Sequence, residues 1–162
     1  LIKYKKKINM QQYKSKPDPW NTNYNSVENF ILAQYSKLKL VEMIETTKLK
    51  YDYILYIRPD CLYLDKFKLN YLKHINDQTV CIPDFHLFGI YNINDRFCIT
   101  NMNTYKVYGN VFHDLLRQSK TQPLHSETIL GEQFKKFNLK IIKIPFRFSR
   151  VRCCGKIVDT IT

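Results

Sequence analysis

From Ser26 onward, apolar residues recur at three- and four-residue steps: Val27, Phe30, Ile31, Tyr35, Leu38, Val41 and Ile44. That spacing lines one face of a helix, and Ser26 in front of it is a natural N-cap. The period then changes. Tyr53-Ile54-Leu55-Tyr56-Ile57 is an uninterrupted apolar run, too short for a helix. It predicts a central strand covered on both faces and stopped by Arg58-Pro59-Asp60. Further runs predict strands over Thr79 to Ile82 and Phe97 to Thr100, separated by a loop holding Pro83, Gly89 and Asn94-Asp95. Tyr105, Tyr108, Phe112 and Leu115 mark a helix, and Ile129, Phe134 and Phe137 a shorter one. Leu139 to Ile144 reads as a last strand, closed by Pro145.

The order α-β-β-β-α-α-β predicts an α/β fold, a three-layer sandwich with strands parallel at least in part. Residues 1–25 are polar and basic, carry Pro17 and Pro19 and show neither period, so they read as an irregular basic arm or loop in front of a core over 26–162. With 162 residues, 44% of them hydrophobic, the chain can supply one core of ordinary size. No stretch approaches the roughly 18 to 20 apolar residues of a membrane span, and Leu1 to Lys7 lacks the apolar centre of a signal peptide. These features predict no membrane span and a cytoplasmic location. Leu at position 1 predicts that the chain is part of a longer reading frame.

A formal net charge of +12 favours polyanionic partners: nucleic acid, anionic lipid or phosphorylated small molecules. The excess is mostly scattered Lys, without the Arg–aromatic interleaving of a single-strand groove, so nucleic acid is the weaker choice and simple solvation stays open. Cys61, Cys81, Cys98, Cys153 and Cys154 are odd in number and lack CxxC spacing, which argues against structural zinc and for a reducing compartment. His74, His86 and His113 are too far apart in context for a metal site. No GxGxxG, P-loop or GxSxG is present. At the end of the first strand, Asp60 is placed to hold a divalent ion and Arg58 to meet phosphate or a carboxylate; a strand-end salt bridge between the two is the plainer alternative.

Four segments in order resemble a GT-A glycosyltransferase group found in large DNA viruses, algae and bacteria. Lys50-Tyr-Asp-Tyr-Ile-Leu-Tyr-Ile-Arg-Pro-Asp60 looks like its "YD-apolar-strand-RxD" signature, and the helix Asn25 to Glu45 like the helix beside that strand. Asn94-Asp95-Arg96-Phe97 is similar to its "NDRF" segment, and Leu124-His125-Ser126-Glu127 with Leu130 to its "SE/PE-x-x-L" segment. The resemblance spans roughly residues 25 to 152 and implies a GT-A-like fold lacking its first strand-helix-strand unit. It implies a nucleotide-sugar donor, a glycan or protein acceptor, and Mn²⁺ or Mg²⁺ on Asp60, the surviving acid of a DxD-type motif; a viral member would act in the host cytoplasm. The sequence departs from a full DxD, because position 58 is Arg and the next acid is Asp65.

On this resemblance Asn94 and Asp95 would bind sugar hydroxyls, Asp95 at the reacting centre, with an Asx turn as the alternative for both. Glu127 would take the proton of the attacking hydroxyl, with His125 nearby; the alternative is the acidic first turn of a helix. Arg150 and Arg152, with Arg147, would clamp the diphosphate, although their alternation with Phe146, Phe148 and Val151 equally suits a plain strand. A missing unit would leave sheet surface exposed and favour self-association. Two rival readings remain: a catalytically silent relative that binds carbohydrate or a partner, and a basic nucleic-acid-binding domain.

Overall fold

The computed structural model describes residues 6–158; residues 1–5 of the arm and residues 159–162 of the core lie outside the described residues. The chain forms a mixed α/β structure with two sheets. The long helix α1 spans Asn25–Thr47 and buries Val27, Phe30, Ile31, Leu38 and Val41, as the sequence period requires. Its start differs from expectation. Tyr24 stands at the cap in the left-handed region, and Ser26 lies inside the helix. The orphan amides of the first turn are instead met from upstream. Thr22 Oγ1 accepts from the Ser26 N–H at 2.9 Å, and the Asp18 carboxylate accepts from the N–H groups of Trp20 and Tyr24, each at 3.0 Å, and from the Thr22 hydroxyl at 3.1 Å.

The arm is therefore structured from residue 6 onward. A 3-10 helix, Met10–Tyr13, buries both of its end residues in the main core. Lys14 pairs with Glu28 of α1 at 2.8 Å. The segment carries no period because it is held by single inserted side chains and by one carboxylate, which hydropathy does not register.

The main sheet has the order β1-β4-β3-β5, with β1 at Ile54–Tyr56, β3 at Thr79–Pro83, β4 at Cys98–Thr100 and β5 at Lys140–Ile144. β4 pairs antiparallel with both β1 and β3, and only β3 and β5 run parallel. The centre is β3, buried at all five positions, not the 53–57 run. β1 is an edge strand: Leu55 within it is 39% exposed and Ile57 just after it 61%. An apolar run cannot tell a covered strand from an edge strand lining a groove, and the latter occurs here. A hollow of about 260 Å³ lies between β1 and α1, walled by Leu40, Met43, Ile44 and Leu55.

Alternation along the strands divides the core in two. Val80, Ile82 and Cys98 face the helices, while Cys81, Phe97 and Ile99 face the opposite side. That side is covered by a small second sheet, ordered β2-β6-β7, with β2 at Cys61–Tyr63, β6 at Phe148–Val151 and β7 at Ile157–Val158. A 3-10 helix, Leu69–His74, completes the layer. Tyr63, Phe67, Phe97, Phe146 and Phe148 fill the space between with edge and offset ring contacts. The layers are thus helices, sheet and small sheet, and the second cover is a sheet with a 3-10 helix in place of a layer of α-helices.

The helix expected from Tyr105 to Leu115 is two: α2 at Tyr105–Gly109 and α3 at Phe112–Thr121. Close packing requires a glycine at the end of α2. A Cβ there would lie 2.3 Å from Val41 Cγ2 and 2.6 Å from the Tyr56 hydroxyl. Tyr56 also donates its hydroxyl proton to the Tyr105 carbonyl at 2.9 Å, tying β1 to this helix. The last helix, α4, spans Ser126–Lys136. Among the described residues no helix is long and apolar enough to cross a membrane.

Candidate functional site

The antiparallel register Tyr56↔Cys98 makes the end of β1 coincide with the start of β4. The turn Arg58-Pro59-Asp60 and the loop Asn94-Asp95-Arg96 therefore leave the sheet at the same rim. The small sheet adds Arg150, which pairs in register with Cys61, and the Val151 N–H donates to the Asp60 carbonyl at 2.8 Å. The first turn of α4 reaches the rim beneath the loop before β4. Gly89 in that loop has φ +68°, and a Cβ on it would sit 2.9 Å from Thr128 Oγ1.

Arg58 and Asp60 form a bidentate pair, Nε to Oδ1 at 2.9 Å and Nη2 to Oδ2 at 2.7 Å. The Tyr63 hydroxyl fixes the turn by accepting from the Arg58 N–H and donating to the Arg58 carbonyl. The Arg58 guanidinium holds the Asp60 carboxyl below its usual range, with Arg150 adding to the same effect against the cost of desolvation. The salt-bridge alternative is thus realised. It bears directly on the metal. With Asp60 clasped, and no group of three His, Cys, Asp or Glu gathered among the described residues, a resident divalent ion does not fit this donor set. A Mg²⁺ or Mn²⁺ arriving on a diphosphate is a different case, because it keeps its phosphate and water ligands and needs only one or two protein carboxylates.

Glu127 is 6% exposed in the first turn of α4. Its carboxylate accepts from the Ser126 hydroxyl and lies 3.5 Å from His125 Nδ1. Burial first, and then the charge of Asp95, push its pKa up, against the lowering effect of Ser126 and His125. Glu127 and Asp95 are therefore electrostatic neighbours, although they come from segments about thirty residues apart in sequence. The Asp95 carboxylate is partly exposed and makes no hydrogen bond or ion pair among the described residues; only its backbone carbonyl is used, by the Tyr108 hydroxyl at 2.6 Å.

Other expected residues do not join this group. Asn94 is 1% exposed, donates through Nδ2 to the Phe85 carbonyl at 2.9 Å and accepts the Arg96 N–H at 3.0 Å. It is the Asx turn that builds the loop, with no atom turned to a ligand. Arg152 is exposed in the turn after β6, where its N–H donates to the Lys156 carbonyl at 2.8 Å. Arg147 is held by Asp65 through Nε at 3.0 Å and Nη2 at 3.1 Å, which occupies the second acid as well.

One group at the rim was not expected. Lys37 of α1 has its Nζ fully enclosed and without a hydrogen-bond partner, 3.8 Å from the centre of the Tyr108 ring. Burial lowers its pKa to about 8, opposed by Asp95, Cys98 and Glu127 and assisted by Arg58. The sequence carried a signal for it: Gln34 and Lys37 interrupt the apolar stripe of α1 at the step where Val27, Phe30, Ile31 and Val41 define it. Comparison with known families, curated proteins and solved structures gives no match for this chain.

Proposed function

We propose that the rim is the sugar-transfer site of a GT-A-like glycosyltransferase. The observation that supports this reading is the convergence of Arg58, Asp60, Asp95 and Glu127 from three separate segments onto one electrostatically connected group. It agrees with the resemblance of those same segments to the glycosyltransferase group.

In this reading Arg58 and Arg150 receive the donor's diphosphate, since a guanidinium matches phosphate oxygens in a fork. Asp60 would be the carboxylate that holds a divalent ion brought with the donor, if phosphate took its place on Arg58, and such an ion would spread the charge that builds on the leaving diphosphate. Asp95 orients a sugar hydroxyl. Glu127 accepts the proton of the attacking acceptor hydroxyl as the new carbon–oxygen bond forms and the bond to phosphate breaks; its raised proton affinity suits that task. Ser126 keeps the carboxylate aligned by donating to it. The acceptor is a glycan or protein hydroxyl.

The Arg58–Asp60 clasp gives the second reading, a silent carbohydrate- or partner-binding relative, its own support, because the clasp neutralises the carboxylate an active enzyme would use. A nucleic-acid-binding reading rests only on net charge. A panel of nucleotide-sugars, tested for thermal stabilisation with and without Mn²⁺ and then for turnover, decides among them. Stabilisation with turnover supports the transferase, and stabilisation without turnover supports the silent relative. A salt-sensitive shift with random DNA and none with the panel would replace both.

A further inference from the structure

We infer that Lys37 is a ligand-binding residue of this rim and that, with Asp95, it takes a neutral sugar hydroxyl; the inference rests on the sugar-transfer reading of the same site. Long charged side chains normally bury their stems and keep the head in water. Lys37 does the reverse: the residue as a whole is partly exposed while Nζ is enclosed, over the Tyr108 ring at 3.8 Å but with no hydrogen-bond acceptor among the described residues. A buried polar group without a partner needs a reason, and a function that uses it is one such reason.

The neighbours narrow the ligand. A lysine ammonium can only donate, and a carboxylate can only accept. Asp95 favours the charged form of Lys37, yet the two form no ion pair among the described residues. An anion would satisfy Lys37 but be repelled by Asp95 and Glu127, and a cation would meet the opposite conflict with Lys37 and Arg58. A hydroxyl does both jobs, accepting from the ammonium and donating to the carboxylate. Vicinal hydroxyls on a sugar ring would supply this at neighbouring positions. The diphosphate is left to Arg58 and Arg150, so Lys37 separates sugar recognition from phosphate recognition.

The test compares the full chain with Lys37→Met, which keeps length and removes the donor, and with Lys37→Gln should the first variant fail to fold. Each is titrated in Mn²⁺ with nucleotide-sugars and with the matching nucleoside diphosphates. Loss of at least about tenfold in nucleotide-sugar affinity, with diphosphate affinity kept, is the expected result. An unchanged ratio of the two affinities in the folded variant overturns the assignment. If the wild-type chain binds the diphosphates but gains nothing from any sugar, the Lys37 assignment falls alone. If it binds neither, the transferase reading falls with it.

Discussion

Two acidic regions of this chain show opposite degrees of saturation. At the start of α1, Asp18 accepts from the backbone of Trp20, Thr22 and Tyr24 and from the Thr22 hydroxyl, leaving nothing for a ligand. At the sheet rim, the Asp95 carboxylate and the Lys37 ammonium have no hydrogen-bond partner among the described residues, and burial together with the charge of Asp95 pushes the Glu127 pKa up. Both regions look alike in composition: a carboxylate in a polar loop beside a helix. The difference is that the first spends its polar groups on the chain and the second reserves them. Saturated groups define structure, and unsaturated ones near each other define where chemistry can enter.

The largest expected effect separates these roles at Glu127. Glu127→Gln should reduce transfer by about 10²–10⁴-fold, the usual worth of a positioned base. Folded stability should hold or rise at neutral pH. The raised pKa means that the folded chain binds the extra proton just above the unfolded value, so wild-type stability falls as pH rises through that window and the variant's does not. Turnover and thermal melts from pH 4 to pH 8, about the window concerned, check both parts.

Lys37→Met should stabilise the unliganded chain, by up to about 3 kcal/mol at neutral pH, since a pKa near 8 instead of 10.5 measures the penalty for enclosing the charge. Between these two values the unfolded chain binds the extra proton. Wild-type stability should therefore climb as pH rises from about 8 to 10.5, and the advantage of the variant should fade over the same range. Urea titrations across that window would show it. A destabilised variant with no pH dependence would place Lys37 among ordinary packing residues.

Asp18→Ala should cost about 1–2 kcal/mol through the lost helix-start hydrogen bonds and leave ligand affinity unchanged. A fall in affinity would mean that the two regions are not separable. Trp20, which stacks on His125 at 5.2 Å, is the contact through which this would travel. The smallest effect belongs to Asp65→Asn: its pair with Arg147 is exposed, so less than about 1 kcal/mol should change, with donor binding intact.

Most of the helical face of the fold was legible, because α1 and α4 bury residues at the spacing the sequence shows. The need for Gly109 was not, since the atoms that exclude a Cβ there belong to Val41 and Tyr56, far away in sequence. The small sheet was hidden for a similar reason. β2 is three residues long and owes its place to pairing with β6 across nearly ninety positions. At the rim, Asp60, Asp95, Glu127 and Arg150 were recognisable, whereas Asn94 and Arg152 could not be sorted from them. Only the loop's own hydrogen bonds show that Asn94 faces inward. Lys37 stood in plain view as a charge on an apolar stripe, but a stripe does not say what its interruptions face.

The most direct test of the account is calorimetric titration of the chain with UDP- and GDP-sugars in Mn²⁺, beside Asp95→Asn. The account predicts saturable binding of the wild type by at least one donor, worth about 4 kcal/mol or more, with the sugar-dependent part lost in the variant. Saturable binding that Asp95→Asn leaves untouched, or none at all from any donor, would contradict the claim that the unsaturated rim is a sugar site.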